Sequence, residues 1–194
     1  MILQLAGYLS GIAILLSFFP YVRDIFLDKT KPERASWLIW TVLGLISFFS
    51  QWAKGATWSL TMTGAQAVGD AFVFFLALRY GLGGLEKRDV AGMIGAAIGL
   101  GLWGLTGEVA VALFIVIFID AIGAALTVSK TYEHPSTETV SSWALTFVAG
   151  LLACVAVGRL DFVLLAFPFY IYLASASVLL SIWLGFRHKH SNIL

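Results

Sequence analysis

Charge is what this sequence has least of. Only 12% of its 194 residues are Asp, Glu, Lys or Arg, about half the share of a water-soluble domain. With 60% apolar residues and a mean hydropathy of +0.92, a soluble chain would expose patches that drive aggregation. A water-soluble globular domain is therefore excluded, and the solvent is lipid. The formal net charge of +1 leaves no basic footprint for nucleic acid. Cys154 is the only cysteine, so no intrachain disulfide forms; in its apolar run it reads as a small packing residue. Histidine is equally scarce. His134 falls in a loop and His188 and His190 in the tail, which excludes a His-based catalytic centre inside the membrane. His-Glu-x-x-His, Gly-x-Ser-x-Gly and the phosphate-binding Gly-x-x-x-x-Gly-Lys are all missing. No lysine lies inside the last apolar run, which excludes a retinal protein. No metal site and no cofactor are expected, and the chain does not read as an enzyme.

What is present is a series of seven apolar segments, at about Ile2 to Phe26, Ala35 to Ala53, Trp58 to Tyr80, Asp89 to Thr106, Val109 to Ser129, Val140 to Val157 and Phe162 to Phe186. A span needs roughly 20 mainly apolar residues, so this is an all-α integral membrane protein with seven transmembrane helices. The runs are too long and too uniformly apolar for barrel strands. The opening MILQLAGYLSG has no basic n-region or small-residue cleavage site and reads as the first span. With the N-terminus outside, the inner side collects Arg23, Lys29, Lys31, Arg34, Arg79, Lys87, Arg88, Lys130, Arg187 and Lys189, against Lys54 and Arg159 outside. That bias sets the N-terminus out and the C-terminus in the cytoplasm. Short loops and Gly-rich composition incline the localisation toward a bacterial inner membrane. Trp37, Trp40, Trp52, Trp58, Trp143 and Trp183 lie near span ends, most of them as interfacial anchors.

The chain also repeats itself. Lys29-Thr30, Pro32 and Ser36-Trp37 open the second span, and Lys130-Thr131, Pro135 and Ser142-Trp143 open the sixth. Gly44 and Gly150 each follow eight residues after the serine, and Gly81 and Gly185 end the third and seventh spans. An odd number of helices per unit inverts the second copy, and the fourth span restores it, so the copies are parallel. That fourth span carries Gly92, Gly95, Gly99 and Gly101, a spacing that lets another helix approach.

Three helices, a linker helix, three helices and a proline near the inner end of the first helix together resemble the PQ-loop superfamily, which includes the SWEET transporters. The family's Pro-Gln pair falls at Pro20-Tyr21, with Tyr in place of Gln, and at Gly123-Ala124 in the second copy. The resemblance implies two parallel three-helix bundles joined by a linker helix: residues 1–82 the first bundle, 83–107 the linker, 108–194 the second bundle with a short cytoplasmic tail. It also implies carriers that rock around a midplane site, or sorting receptors on the same scaffold.

Ionisable groups inside lipid are costly and mark function by default. Asp70 and Asp120 lie near the midpoints of their spans. Thr63, Gln66 and Asp70 share a helical face among small residues, which reads as a cavity wall or as an interhelical hydrogen-bond seam. Asp120 and Thr127 share a face on the fifth span, and Ser10, Ser17 and Asp24 on the first. Tyr170, equivalent to Gln66 in the repeat, is the aromatic candidate for a substrate contact. No Lys or Arg occurs mid-span, so each buried carboxyl takes up a proton or meets a cation, inorganic or part of a substrate. The expected substrate-binding set is Ser17, Gln66, Asp70, Asp120 and Tyr170, with Asp70 and Asp120 as proton-coupling groups and Pro20 and Pro168 as hinges. Arg23 and Asp24 form a surface pair or an inner gate with the following loop. The function expected is a transporter for a small polar or cationic solute, working by alternating access and coupled to protons or passive. A ligand-binding or sorting receptor and an intramembrane acid–base enzyme are the other readings. The partners are the solute and the bilayer, with a homo-oligomer left open.

Overall fold

The structure, a computed structural model, describes residues 1–28, 32, 34–81 and 87–191. The Lys29-Thr30-Lys31 stretch of the first repeat and the 82–83 boundary lie outside the described residues, as do the side chains of Arg88, Gly92, Gly99, Lys130 and His190. The described residues form helices and connecting turns without strands: α1 Ile2–Phe26, α2 Arg34–Ala53, α3 Leu60–Tyr80, α4 Lys87–Thr106, α5 Val109–Glu133, α6 Val140–Val157 and α7 Phe162–Ser191, with a 3-10 turn at Pro135–Thr137. All but α4 are long and apolar enough to cross a bilayer.

Lipid tails are as apolar as leucine, so burial of apolar area does not drive these helices together; small residues that admit close approach do. Helix α1 shows the sorting. Ala6, Gly7, Ser10, Gly11, Ala13 and Ser17 are buried, whereas Leu5, Leu9, Ile12, Leu16 and Phe19 are exposed. A side chain on Gly7 would strike the Trp58 backbone, and one on Gly11 would come within 3.1 Å of the Thr61 carbonyl. The Thr61 hydroxyl donates to the Gly7 carbonyl at the same crossing.

Helix α3 packs between α1 and α2, and α7 packs between α5 and α6. Glycines set both arrangements. A Cβ on Gly44 of α2 would lie 3.2 Å from Ala67 Cα of α3, and one on Gly150 of α6 would lie 2.7 Å from the Tyr172 nitrogen of α7. Gly81, after α3, presses on the Pro32 carbonyl beyond α1; Gly185, in α7, presses on the Thr131 and Tyr132 carbonyls at the end of α5. The two groups of helices meet through an extensive α1–α6 contact and through α2 against α5. Ser10 Oγ donates to the Ala149 carbonyl across the first of these, at 2.6 Å. Gly158 ends α6 in the left-handed region (φ +71°), a conformation glycine adopts without strain. Helix α4 packs on α5 and α2, and Gly95 lies against Ile119 of α5 while Gly101 faces open space.

Arg34 closes one end of the first group. Its guanidinium donates to the Ala77 carbonyl at 3.0 Å and to the Gly81 carbonyl at 2.9 Å. A cation is thereby placed on the carbonyl end of α3, where the helix dipole favours it.

Candidate functional site

One apolar cluster ties the two helix groups together. It includes Ile14 of α1, Ile46 of α2, Met62 of α3, Val116 of α5, Ala153 of α6 and Phe167 of α7. Most of its members lie in the half of the molecule nearest the connections 54–59, 107–108 and 158–161. A second cluster, Ile25, Trp37 and Val73, stays within α1–α3. Asp70 and Asp120 sit at the boundary between the two levels.

Asp120, on α5, is partly exposed and accepts a hydrogen bond from the Tyr170 hydroxyl of α7 at 2.6 Å. The Tyr170 ring packs against the edge of the shared cluster, which fixes the hydroxyl's approach. Asp70, on α3, is 6% exposed. Its Oδ2 faces α2, 3.5 Å from where a Gly44 Cβ would stand, an ordinary van der Waals separation. Among the described residues no hydrogen-bond donor and no Lys or Arg reaches Asp70. The Asp120 carboxyl is close enough for the two to interact electrostatically. Two acids are thus held near one another at mid-depth, one anchored by a phenol and one without a donor. Both cannot carry a charge there without a compensating cation, and in its absence one takes up a proton.

The other expected site residues divide. Ser17 is buried, but its hydroxyl closes on the Ile14 carbonyl of its own helix at 2.7 Å. Ser10 and Asp24, on the same face, go to the Ala149 carbonyl and to Arg23 respectively. Arg23 and Asp24 therefore pair with each other, at 3.0 Å, as a surface pair. Thr127 closes on the Gly123 carbonyl. Gln66 is half-buried, and its Oε1 is buried without a partner. Thr63 accepts a bond from Gln51 Nε2 at 3.1 Å, so the Thr63 end of the Thr63–Gln66–Asp70 stripe is an interhelical seam. Pro20 and Pro168 lie inside α1 and α7, and both helices continue through them. Trp37 departs from the anchoring expectation. It is buried at 8% exposure, and its indole nitrogen donates to the Tyr21 hydroxyl at 3.3 Å. Trp52 and Trp183 are more than half exposed, as anchors are.

Sequence reasoning passed over Ser47, Ser50 and Gln51 of α2. All three are fully buried, and each carries a side-chain oxygen with no hydrogen-bond partner. The available signal was their spacing: three polar residues within five positions of an otherwise apolar span. Comparison with known protein families, curated proteins and solved structures returns no match.

Proposed function

We propose that this chain is a membrane carrier built as two parallel three-helix bundles, α1–α3 and α5–α7, joined by α4 as a seventh crossing. It moves a small polar or cationic solute by alternating access, as PQ-loop and SWEET proteins do. The matching placement of α3 and α7 within their groups supports the two bundles. So do the paired close approaches of Gly44 and Gly150, and of Gly81 and Gly185. Reciprocal contacts, α1 on α6 and α2 on α5, are what an axis along the membrane normal generates.

The observation that carries the functional reading is the pair of mid-depth acids, Asp70 and Asp120, on facing bundles with no basic partner among the described residues. An apolar cluster seals the bundles together on one side of that pair. The Lys and Arg bias makes the sealed side the outer one, in a bacterial inner membrane with the N-terminus out. The arrangement then corresponds to a carrier closed outward, with the acids at the floor of the closure. A positively charged solute group fits between them. Where transport is uphill, a proton exchanged at the Asp120–Tyr170 pair is the coupling ion.

Thermal unfolding of the purified chain, screened over sugars, amino acids, polyamines and vitamins at two pH values, identifies the solute class, because a ligand that binds only the folded state raises stability by mass action. Uptake of that solute by Asp70→Asn and Asp120→Asn proteins then tests the site. Loss of uptake, or of its pH dependence, in at least one variant is expected; unchanged behaviour in both overturns the reading.

A further inference from the structure

Most hydroxyls in these helices bond to a carbonyl, and Ser47, Ser50 and Ser59 are the buried exceptions among the described residues. Thr41, Thr106, Thr146, Ser175 and Ser177 each close on the carbonyl four residues back, the ordinary way a membrane helix satisfies a hydroxyl. Ser47 does not. It is fully buried, and its Oγ has no partner.

Two contacts fix the register around it. Gly44 of α2 lies opposite Ala67 and Asp70 of α3, and Gln51 donates to Thr63. Ser47 stands midway between Gly44 and Gln51, and Gln66 one turn before Asp70. That register puts Ser47 Oγ and Gln66 Oε1, both buried without a partner, at neighbouring levels of the seam beside the Asp70 carboxylate that faces Gly44. Gln51 cannot relieve them, because its Nε2 is already committed to the Ser47 carbonyl and to Thr63.

The amide oxygen of Gln66 and the carboxylate oxygens of Asp70 only accept. A seam of acceptors next to one carboxylate is complementary to a positive ion. One negative charge with neutral oxygens matches a monovalent ion, since calcium sites take six to eight oxygens with several carboxylates. The close α2–α3 approach at Gly44 favours a small one. The geometry points to a sodium-binding site in the α2–α3 seam, liganded by Ser47 Oγ, Gln66 Oε1 and the Asp70 carboxylate.

This site shares Asp70 with the proposed transport site but does not require transport, and its test uses no solute. The purified full chain in detergent is unfolded by heat while sodium chloride replaces choline chloride at constant ionic strength. A midpoint that rises and saturates with sodium is expected, by the same mass action. Ser47→Ala and Gln66→Met should each raise the half-saturating sodium concentration about tenfold or more, the loss of one bond to a charge. Ser177→Ala, whose hydroxyl closes on its own helix, should behave as wild type. Equal midpoints in sodium and choline would overturn the site and leave a water-filled seam. Wild-type half-saturation in both variants, or a rise with potassium and not sodium, would overturn it equally. Should Ser47→Ala not fold, Gln66→Met alone decides. A protein that binds sodium but carries no solute into liposomes would refute the carrier and spare this site; a carrier indifferent to sodium would do the reverse.

Discussion

Replacing Tyr170 with Phe removes one hydroxyl and keeps the ring that packs against Phe167 and the shared cluster. What is lost is the 2.6 Å bond to Asp120, a length typical of a hydroxyl bonded to an ionised carboxylate. A bond to a charged group contributes about 1.5–3 kcal/mol, a bond between neutral groups about 0.5–1.5 kcal/mol. The charge on Asp120 is therefore readable from a double-mutant cycle of wild type, Tyr170→Phe, Asp120→Ala and the double variant, unfolded in mixed micelles by increasing denaturing detergent. A coupling energy of about 1.5–3 kcal/mol is expected. Repeating the cycle on the Asp120→Asn background keeps an acceptor and removes the charge, and the coupling should fall to about 0.5–1.5 kcal/mol. A coupling energy below about 0.3 kcal/mol, the scatter of independent sites, would mean that the phenol does not hold the carboxyl. The account of how α7 orients the α5 acid would then fail.

Other predictions rest on separate contacts. Gly150→Ala places a methyl 2.7 Å from the Tyr172 backbone nitrogen and should cost about 1–3 kcal/mol in the same unfolding assay; a neutral effect would mean that α6 and α7 are not in close register. Arg34→Ala removes both donors from the end of α3 and should cost about 1–2 kcal/mol. Arg34→Lys, lacking the fork, should restore only part of it, and full rescue by Lys would show that charge alone mattered. In a Cys154→Ser background, single cysteines at Lys54 and Lys189 should react with impermeant thiol reagents from opposite sides of the membrane. Reaction from one side would reverse the orientation.

Much of the fold was legible because lipid imposes a simple rule on sequence: long apolar runs become helices. The ends moved where apolarity and helicity part company. Helix α5 runs to Glu133 and α7 to Ser191, past the last apolar residues, since backbone hydrogen bonding continues after a helix leaves the bilayer. Helix α3 begins at Leu60 because Thr57 and Trp58 first make a tighter turn, with Leu60 and Thr61 bonded three residues back. The candidate site was legible in part. Asp70 and Asp120 stand out in any apolar span. The bond between Asp120 and Tyr170 joins residues fifty positions apart, and no local pattern encodes it. The polar face of α1 misled for a physical reason: the hydroxyl of a helical serine has a carbonyl of its own helix within reach, and at Ser17 that carbonyl takes it. Ser47 carries the same side chain and leaves it free, a distinction that only the packing of α2 on α3 makes.

Flux of the stabilising solute into proteoliposomes reaches the central claim most directly. A carrier should show saturable uptake above protein-free vesicles, accelerated when unlabelled solute is preloaded inside. Saturable binding with no uptake in either condition would contradict it and make the protein a receptor.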